Sequence, residues 1–372
     1  LCAKFDFPSE YDPLPVRIKK ITNFFWLMAT QGRTLQRWMQ TTIDAFATRF
    51  KDPLICQGLL EMWIPEFSIF FMLATLAYLH NRNAGYPIGG SLPMSLAMEK
   101  RYLALGGVIH YRSRVEKILV ESNRAVGVRL TDGSEHFAER VISAADGHAT
   151  IFELLDGKYA DAKTREPYEK WKTFQPLIYI GLGVRRTFEN EPRTVSGISF
   201  PLCQPVEIGD AVRDRLTVHL YNHDDTLAPA GKTSLVVMMP SDYDYWKALS
   251  KDRVAYTEKK EQIARTVVTL LEQRFPGISQ QVEMVDVATP LTFEHYTGNW
   301  KGSFEGWLIT PQNAGVMMSP MLQTLPGLQN FFMCGQWVEP GGGLPTGVMS
   351  ARRLVRALCK EDGKKFQTRI EV

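Results

Sequence analysis

The stretch Phe331-Phe-Met-Cys-Gly335-Gln-Trp-Val-Glu-Pro340-Gly-Gly-Gly-Leu-Pro-Thr-Gly347 decides the reading of this chain. Three apolar residues and a cysteine make a buried-type strand. A glycine-rich turn follows, and Leu344, Val348, Ala351, Val355 and Leu358 then recur at helical spacing, with Arg352, Arg353 and Arg356 on the other face. Strand, glycine turn and helix N-terminus together make a site for a polar or anionic group, with a plain glycine turn ahead of a surface helix as the alternative. Glycines let backbone approach a ligand without a Cβ in the way. The first-turn N–H groups and the helix dipole favour negative charge. Such charge develops at the N1/O2 edge of a reduced flavin, and protein groups near that ring tune its electronics.

Working outward, the segment before residue 85 reads as mainly helical and rich in aromatics and methionine, with breaks at Pro53 and Pro65. Its most apolar run, residues 69–79 (IFFMLATLAYL), is too short for a bilayer span, which needs about 20 residues. It reads first as a buried helix. A wall of an apolar tunnel or a face dipping into a membrane surface is the functional alternative. At Tyr86-Pro-Ile-Gly-Gly-Ser91 the character changes to a loop, with Ser91 placed to cap a helix that Gly106-Gly107 end. Residues 108–111 read as a strand, and residues 115–121 and 125–131 as a hairpin across Ser122-Asn123. Asp132-Gly133 marks a tight turn, and residues 141–145 form a small-residue strand ending at Asp146-Gly147. Further on, strands are expected at residues 177–184, 216–221, 234–239 and 283–288, and a long helix at 258–275 ended by Pro276-Gly277. This is an α/β pattern.

The charge balance, 43 Lys+Arg against 40 Asp+Glu, argues against a nucleic-acid-binding surface. The five cysteines (2, 56, 203, 334 and 359) form no C-x-x-C pair, so neither a zinc site nor a disulfide framework is indicated, and they read as reduced thiols of a cytosolic protein. The histidines show no ligand spacing, and no metal is expected.

The 332–347 stretch closely resembles the C-terminal flavin motif of the phytoene desaturase, carotenoid isomerase and retinol saturase superfamily of FAD-dependent oxidoreductases. Three further stretches resemble that superfamily in order: Pro87-Ile-Gly-Gly-Ser91; Arg114-Val-Glu-Lys-Ile118 through Val126-Gly-Val-Arg-Leu-Thr-Asp-Gly133 and Val141-Ile-Ser-Ala-Ala-Asp146; and Thr289-Pro-Leu-Thr-Phe-Glu-His-Tyr-Thr-Gly298. The resemblance spans about residues 60–360. It implies a glutathione-reductase-like FAD domain interrupted by an α+β substrate domain. Residues 1–85 would be the helical part of the substrate domain and 86–150 an FAD-domain segment. Residues 151–328 would be the rest of the substrate domain and 329–372 the last FAD segment. Val115 would hold adenine through its backbone, and Ala145 and Asp146 would line the adenosine. Gly335 and Gln336 would meet the pyrophosphate or ribityl chain. The turn at Gly342 and Gly343 would approach the ring, with Leu344, Val348 and Met349 under its pyrimidine edge. Gln336 is neutral, so a carboxylate bond to a ribityl hydroxyl is not available there.

Such proteins open with strand, G-x-G-x-x-G and helix, with an acid about 20 residues on. The sequence holds no such string. Gly181-Leu-Gly-Val-Arg-Arg186 lacks the third glycine, and there is no Walker A motif. The expectation is an FAD domain without its N-terminal part. The strands before Asp146 and Gly335 would lack a central partner, and residues 1–372 alone would bind FAD weakly and be poorly soluble until an upstream segment is restored. His295, Tyr296 and Glu339 are the catalytic candidates, each with a structural hydrogen-bonding role as the alternative. The expected reaction is desaturation, saturation or isomerisation of a carotenoid- or retinoid-like polyene. An amine-oxidase-like flavoenzyme with a smaller polar substrate, or a chain without activity, are the rivals.

Overall fold

The computed structural model describes residues 14–193, 197–317 and 319–367; Cys2 lies outside them. Packing divides the chain into two units. One holds the residues up to Gly85 together with Leu308–Met321, the other Tyr86–Trp307 together with Leu322–Val372.

In the first unit, helices α1 (Leu14–Met39), α2 (Ile43–Ala47), α3 (Pro53–Met62) and α4 (Ile69–His80) follow one another. Asp52 and Ser68 cap α3 and α4 by accepting from the N–H groups of Leu54 and Phe70. A small core of Ile43, Ala47, Phe67, Ile69 and Met72 forms at the α2–α4 junction, where Phe67 and Phe71 stack at 4.8 Å. The returning segment joins it through the N–H of Ser68, which donates to the carbonyl of Ile309 at 3.1 Å. The apolar run is thus buried only over its first turn, at Ile69 and Met72, while Leu76, Tyr78 and Leu79 face outward. That corrects the expectation of a buried helix. Among the described residues no helix is long and apolar enough to cross a membrane.

The second unit begins with α5 (Ser91–Ala104). Gly90, not Ser91, stands at its N-cap, and Ser91 is already helical. The hairpin forms as expected: β1 (Val115–Glu121) and β2 (Arg124–Leu130) join through Ser122 and Asn123, both in the left-handed region at φ 47° and 62°. Such a two-residue turn matches the right-handed twist of the strands. β3 (Glu135–Phe137) adds to β2. Residues 108–111 form no strand. Val108 and Tyr111 are solvent-exposed, and no strand among the described residues takes up their backbone groups.

β4 (Val141–Ser143) leads into a π-helical turn (Ala149–Glu153) and then α6 (Ala162–Lys170). An antiparallel sheet of β5 (Leu177–Val184), β6 (Ile198–Ile208), β7 (Ala211–Leu220), β8 (Thr233–Pro240) and β9 (Val282–Ala288) runs in the order β6-β7-β8-β5-β9. Between β8 and β9 lie α7 (Tyr243–Leu249) and α8 (Arg253–Arg274). On one face of β5, Ile178, Ile180, Leu182 and Val184 alternate inward and share a core with Ile263, Val267, Leu270 and Leu271 of α8. Each such buried side chain stabilises by about 2 kcal/mol. Nothing in the sequence marks β6 as a strand, because Pro201 and Pro205 interrupt it. Its register breaks between Pro201 and Val206, and it lies at the sheet edge, where a missing N–H is tolerated.

The chain continues through α9 (Pro290–Thr297) and β10 (Phe331–Met333) to α10 (Gly343–Glu361). β10 pairs directly and in parallel with β4, Phe331 opposite Val141 and Met333 opposite Ser143. β4 and β10 thus form a two-stranded sheet, which no third strand joins among the described residues. Phe331 and Met333 are buried in a second core with Ile118, Ile151, Leu155 and Leu328.

Candidate functional site

Because β4 and β10 run side by side, both chains leave at the same end: Ala145 and Asp146 from one, Gly335 and Gln336 from the other. The N–H of Gly335 donates to Ser350 Oγ at 2.8 Å, which ties the end of β10 to the second turn of α10. Gln336 Nε2 donates to Asn299 Oδ1 at 3.1 Å.

Asp146 is buried, and both its oxygens are used within the fold. Oδ1 accepts from the N–H of Ala149 at 2.7 Å and Oδ2 from the N–H of Trp300 at 2.9 Å. Burial pushes its carboxyl up to about 6, partly offset by these two N–H groups. The residue thus staples the end of β4 to the turn after α9. Ala145 is exposed beside it, and Val115 is half-buried at the start of β1, paired with Leu130.

Over this staple sits an aromatic block. Trp307 and Trp337 are buried with ring centroids 5.0 Å apart, and Tyr168 packs on Trp307 at 4.9 Å. Trp307 Nε1 donates to the carbonyl of Trp337 at 3.1 Å. Trp337 Nε1 is itself buried and has no hydrogen-bond partner among the described residues. The N–H of Gly341 donates to the carbonyl of Trp307 at 3.1 Å, so the block hands the chain directly to the glycine turn.

At that turn Glu305 enters, a residue that sequence reasoning missed. Its Oε1 accepts from the N–H of Gly343, the first residue of α10, at 2.7 Å. Burial pushes the Glu305 carboxyl up to about 7, offset in part by that N–H. A Cβ on Gly342 would overlap Glu305 Oε2 and stand 2.8 Å from Phe174 Cζ. The backbone there, at φ 72° and ψ 177°, is one that only glycine adopts readily. Gly342 is thus required by this carboxylate and this ring, where the sequence alone suggests a clash with ligand. The only signal for Glu305 is an acid between aromatics in Ser303-Phe-Glu-Gly-Trp307.

The remaining candidates divide. Leu344, Val348 and Met349 lie together on the first turns of α10 and are 53%, 62% and 58% exposed, while Thr346, Ser350 and Leu354 face inward. Three large apolar side chains beside a helix N-terminus fit a flat, apolar-faced ring with a hydrogen-bonding edge, which is what a flavin presents. For that edge to reach the N–H of Gly343, the Glu305 carboxylate must give way. Glu339 forms an ion pair with Arg353 at 2.7 Å, and Arg353 also binds the carbonyl of Val338 and Gln323 Oε1, so this acid locks α10 to the turn. His295 and Tyr296 are exposed on α9, Tyr296 to 81%. They line a groove of about 740 Å³ with Arg253, Tyr256 and Lys260 of α8, and none of its lining residues belongs to the glycine turn.

A carboxyl whose folded pKa is raised is stabilising while protonated and loses that contribution as pH rises through the folded value. For Glu305 the window runs from its ordinary value of 4.5 to about 7. Glu305→Gln is therefore expected to flatten the fall in stability across that window and to raise the urea midpoint at pH 8. Urea unfolding at several pH values checks this.

These elements define a mixed α/β oxidoreductase fold. A redesigned putrescine oxidase shares it, with a TM-score of 0.58 at 14% identity over 96% of this chain and 77% of that one. The chain belongs to the flavin containing amine oxidoreductase family, whose model matches residues 26–359. It is 28% identical to the chloroplastic prolycopene isomerase of Arabidopsis thaliana over 74% of this chain and 46% of that protein. It is 27% identical to a 4,4'-diapophytoene desaturase (4,4'-diapolycopene-forming) of a Methylomonas species over 80% of this chain and 58% of that protein. The chain spans about half the length of these curated relatives.

Proposed function

We propose that this chain is part of an FAD-dependent oxidoreductase that desaturates, saturates or isomerises a long conjugated polyene of the carotenoid class. The observation that carries the reading is the exposed apolar platform of Leu344, Val348 and Met349 at the N-terminus of α10, beside Glu305. The prolycopene isomerase and diapophytoene desaturase relatives support the substrate class, and the family supports the flavin. Gly335 and Gln336, at the ends of the paired strands, would face the phosphate and ribityl part. Val115, Ala145 and Asp146 would bound the adenosine side.

The cofactor supplies the redox chemistry when bound. The chain's own contribution is to orient and to hold charge. Trp307 and Trp337 exclude water behind the turn, and the first N–H of α10 favours negative charge in front of it. Glu305, with its carboxyl near 7, holds or releases a proton at Oε2, the oxygen not taken by the N–H of Gly343, in the neutral range. Glu339 acts through Arg353 as a positioning residue. The exposed Leu76, Tyr78 and Leu79 of α4 offer a peripheral contact to a lipid surface from which such a substrate would be drawn.

The test is turnover. Protein loaded with FAD is expected to convert a carotenoid presented in detergent or vesicles and to leave putrescine unchanged. Hydrogen peroxide release with the amine, and no change in the carotenoid spectrum, would overturn the reading in favour of an amine oxidase.

A further inference from the structure

Between α8 and α9, beside the edge strand β9, runs the groove of about 740 Å³ that His295 and Tyr296 line. Its size falls in the range of small-molecule sites, about 300–1,000 Å³. It lies wholly within the second unit. Its walls are tied together. The hydroxyls of Tyr256 on α8 and of Thr289, the N-cap of α9, share a hydrogen bond at 2.6 Å, and a capping box joins Thr289 to Thr292. Val285 and Leu291 line the groove and pack on the core behind it.

The charges of α8 single this groove out. The helix carries five basic residues. Lys259 is paired with Glu207 at 3.0 Å, Arg265 with Glu261 at 3.5 Å and Arg274 with Glu191 at 3.0 Å. The two without a carboxylate partner among the described residues, Arg253 and Lys260, are the two that line the groove. They stand seven residues apart, two turns of helix, so they share one face with about 10 Å of rise between them. Lys260 is half-buried, and its ammonium lies 6.0 Å from the Tyr256 ring. Side chains of this length can close on one anionic group from both sides. The acids at the groove do not cancel them. Glu261 is taken by Arg265, and Asp286 stands opposite Gly181 in the register, on the sheet face turned away from α8, while Val285 and Val287 pack toward that helix.

Aromatic rings complete the site. Tyr296 is 81% exposed and meets His295 edge-on at 4.9 Å. A tyrosine facing solvent beside unpaired cations fits a planar base, whose face stacks on phenol or imidazole. Thr257 donates its hydroxyl to the carbonyl of Arg253 at 2.9 Å and keeps lone pairs for a sugar hydroxyl.

We propose that this groove binds a nucleotide, with its phosphates between Arg253 and Lys260, its base against Tyr296 and His295 and a sugar hydroxyl at Thr257. Guanidinium supplies paired N–H donors to a phosphate and ammonium a point charge. The ligand rests on α9, and the N–H of Trp300 in the turn after that helix is held by Asp146. The groove is thereby joined through one short helix to the paired strands β4 and β10.

Titrating ADP into the 372-residue chain by calorimetry tests this. ADP is expected to bind saturably, and adenosine and pyrophosphate each about tenfold more weakly, the worth of a charge-assisted hydrogen bond or of a stacked base. Lys260→Met and Arg253→Gln are each expected to weaken ADP about tenfold with thermal unfolding unchanged, since neither is paired within the fold, while Lys260→Arg keeps the affinity. Tyr296→Ala should bring ADP to the level of pyrophosphate. Pyrophosphate binding as tightly as ADP would overturn the nucleotide in favour of a plain anion site. ADP binding untouched by the Arg253 and Lys260 variants would overturn the groove and move the nucleotide to the adenosine side of the flavin site. Absence of ADP binding would overturn the proposal outright. None of the altered residues belongs to the glycine turn, so the flavin and polyene reading stands under each outcome.

Discussion

Gly342→Val is expected to remove flavin binding and to destabilise the chain by about 3 kcal/mol, the cost of a backbone conformation reserved for glycine with a forced displacement added. The new Cβ would occupy the space of Glu305 Oε2 and press on Phe174. The carboxylate would have to leave, releasing the N–H of Gly343 and unseating the first turn of α10. Two measurements separate the causes. Urea unfolding of Gly342→Val beside the Gly342→Val, Glu305→Ala double variant should show part of the stability regained when the carboxylate is gone, with the backbone strain left behind. FAD titration followed by flavin fluorescence should stay flat in both. Undiminished flavin binding by Gly342→Val would mean that the cofactor does not approach this turn.

Trp307→Ala should be the most destabilising single substitution near the site, at about 4 kcal/mol for deletion of a fully buried indole. Trp307 touches Tyr168, Trp171 and Trp337, and its Nε1 satisfies the buried carbonyl of Trp337. Its own carbonyl accepts from Gly341, so the collapse would pass directly to the glycine turn. Trp307→Phe retains most of the volume but not the hydrogen bond, and should fall between. Denaturation followed by circular dichroism checks the order Trp, Phe, Ala. An Ala variant as stable as the parent would show that the block is not the support of the turn.

Several elements are legible because their signals are local. The β1–β2 hairpin follows from alternation and a turn pair that tolerates positive φ, and β5 and α8 follow from their periods. The helix after Gly343 is equally plain, since a glycine turn ahead of an apolar stripe has few other readings. The expectation for residues 108–111 fails because a strand needs a partner, and the sequence does not say where one lies. β6 fails for the opposite reason: its prolines argue against a strand, and only its place at the sheet edge permits them.

Membership of the family can be read from the residues alone, through motifs held in order over most of the chain, and so can the position of the glycine turn. What that turn is for emerges only when the chain is packed. Folding pairs β4 with β10, so that Asp146 and Gly335 leave at one end. It brings Glu305 across to Gly343 and makes Gly342 obligatory, turns Glu339 into the partner of Arg353, and leaves His295 and Tyr296 in a groove apart. An acid's chemistry depends on its surroundings, and burial raises both Asp146 and Glu305. A buried acid and an exposed one are the same letter in a sequence, and only packing tells them apart.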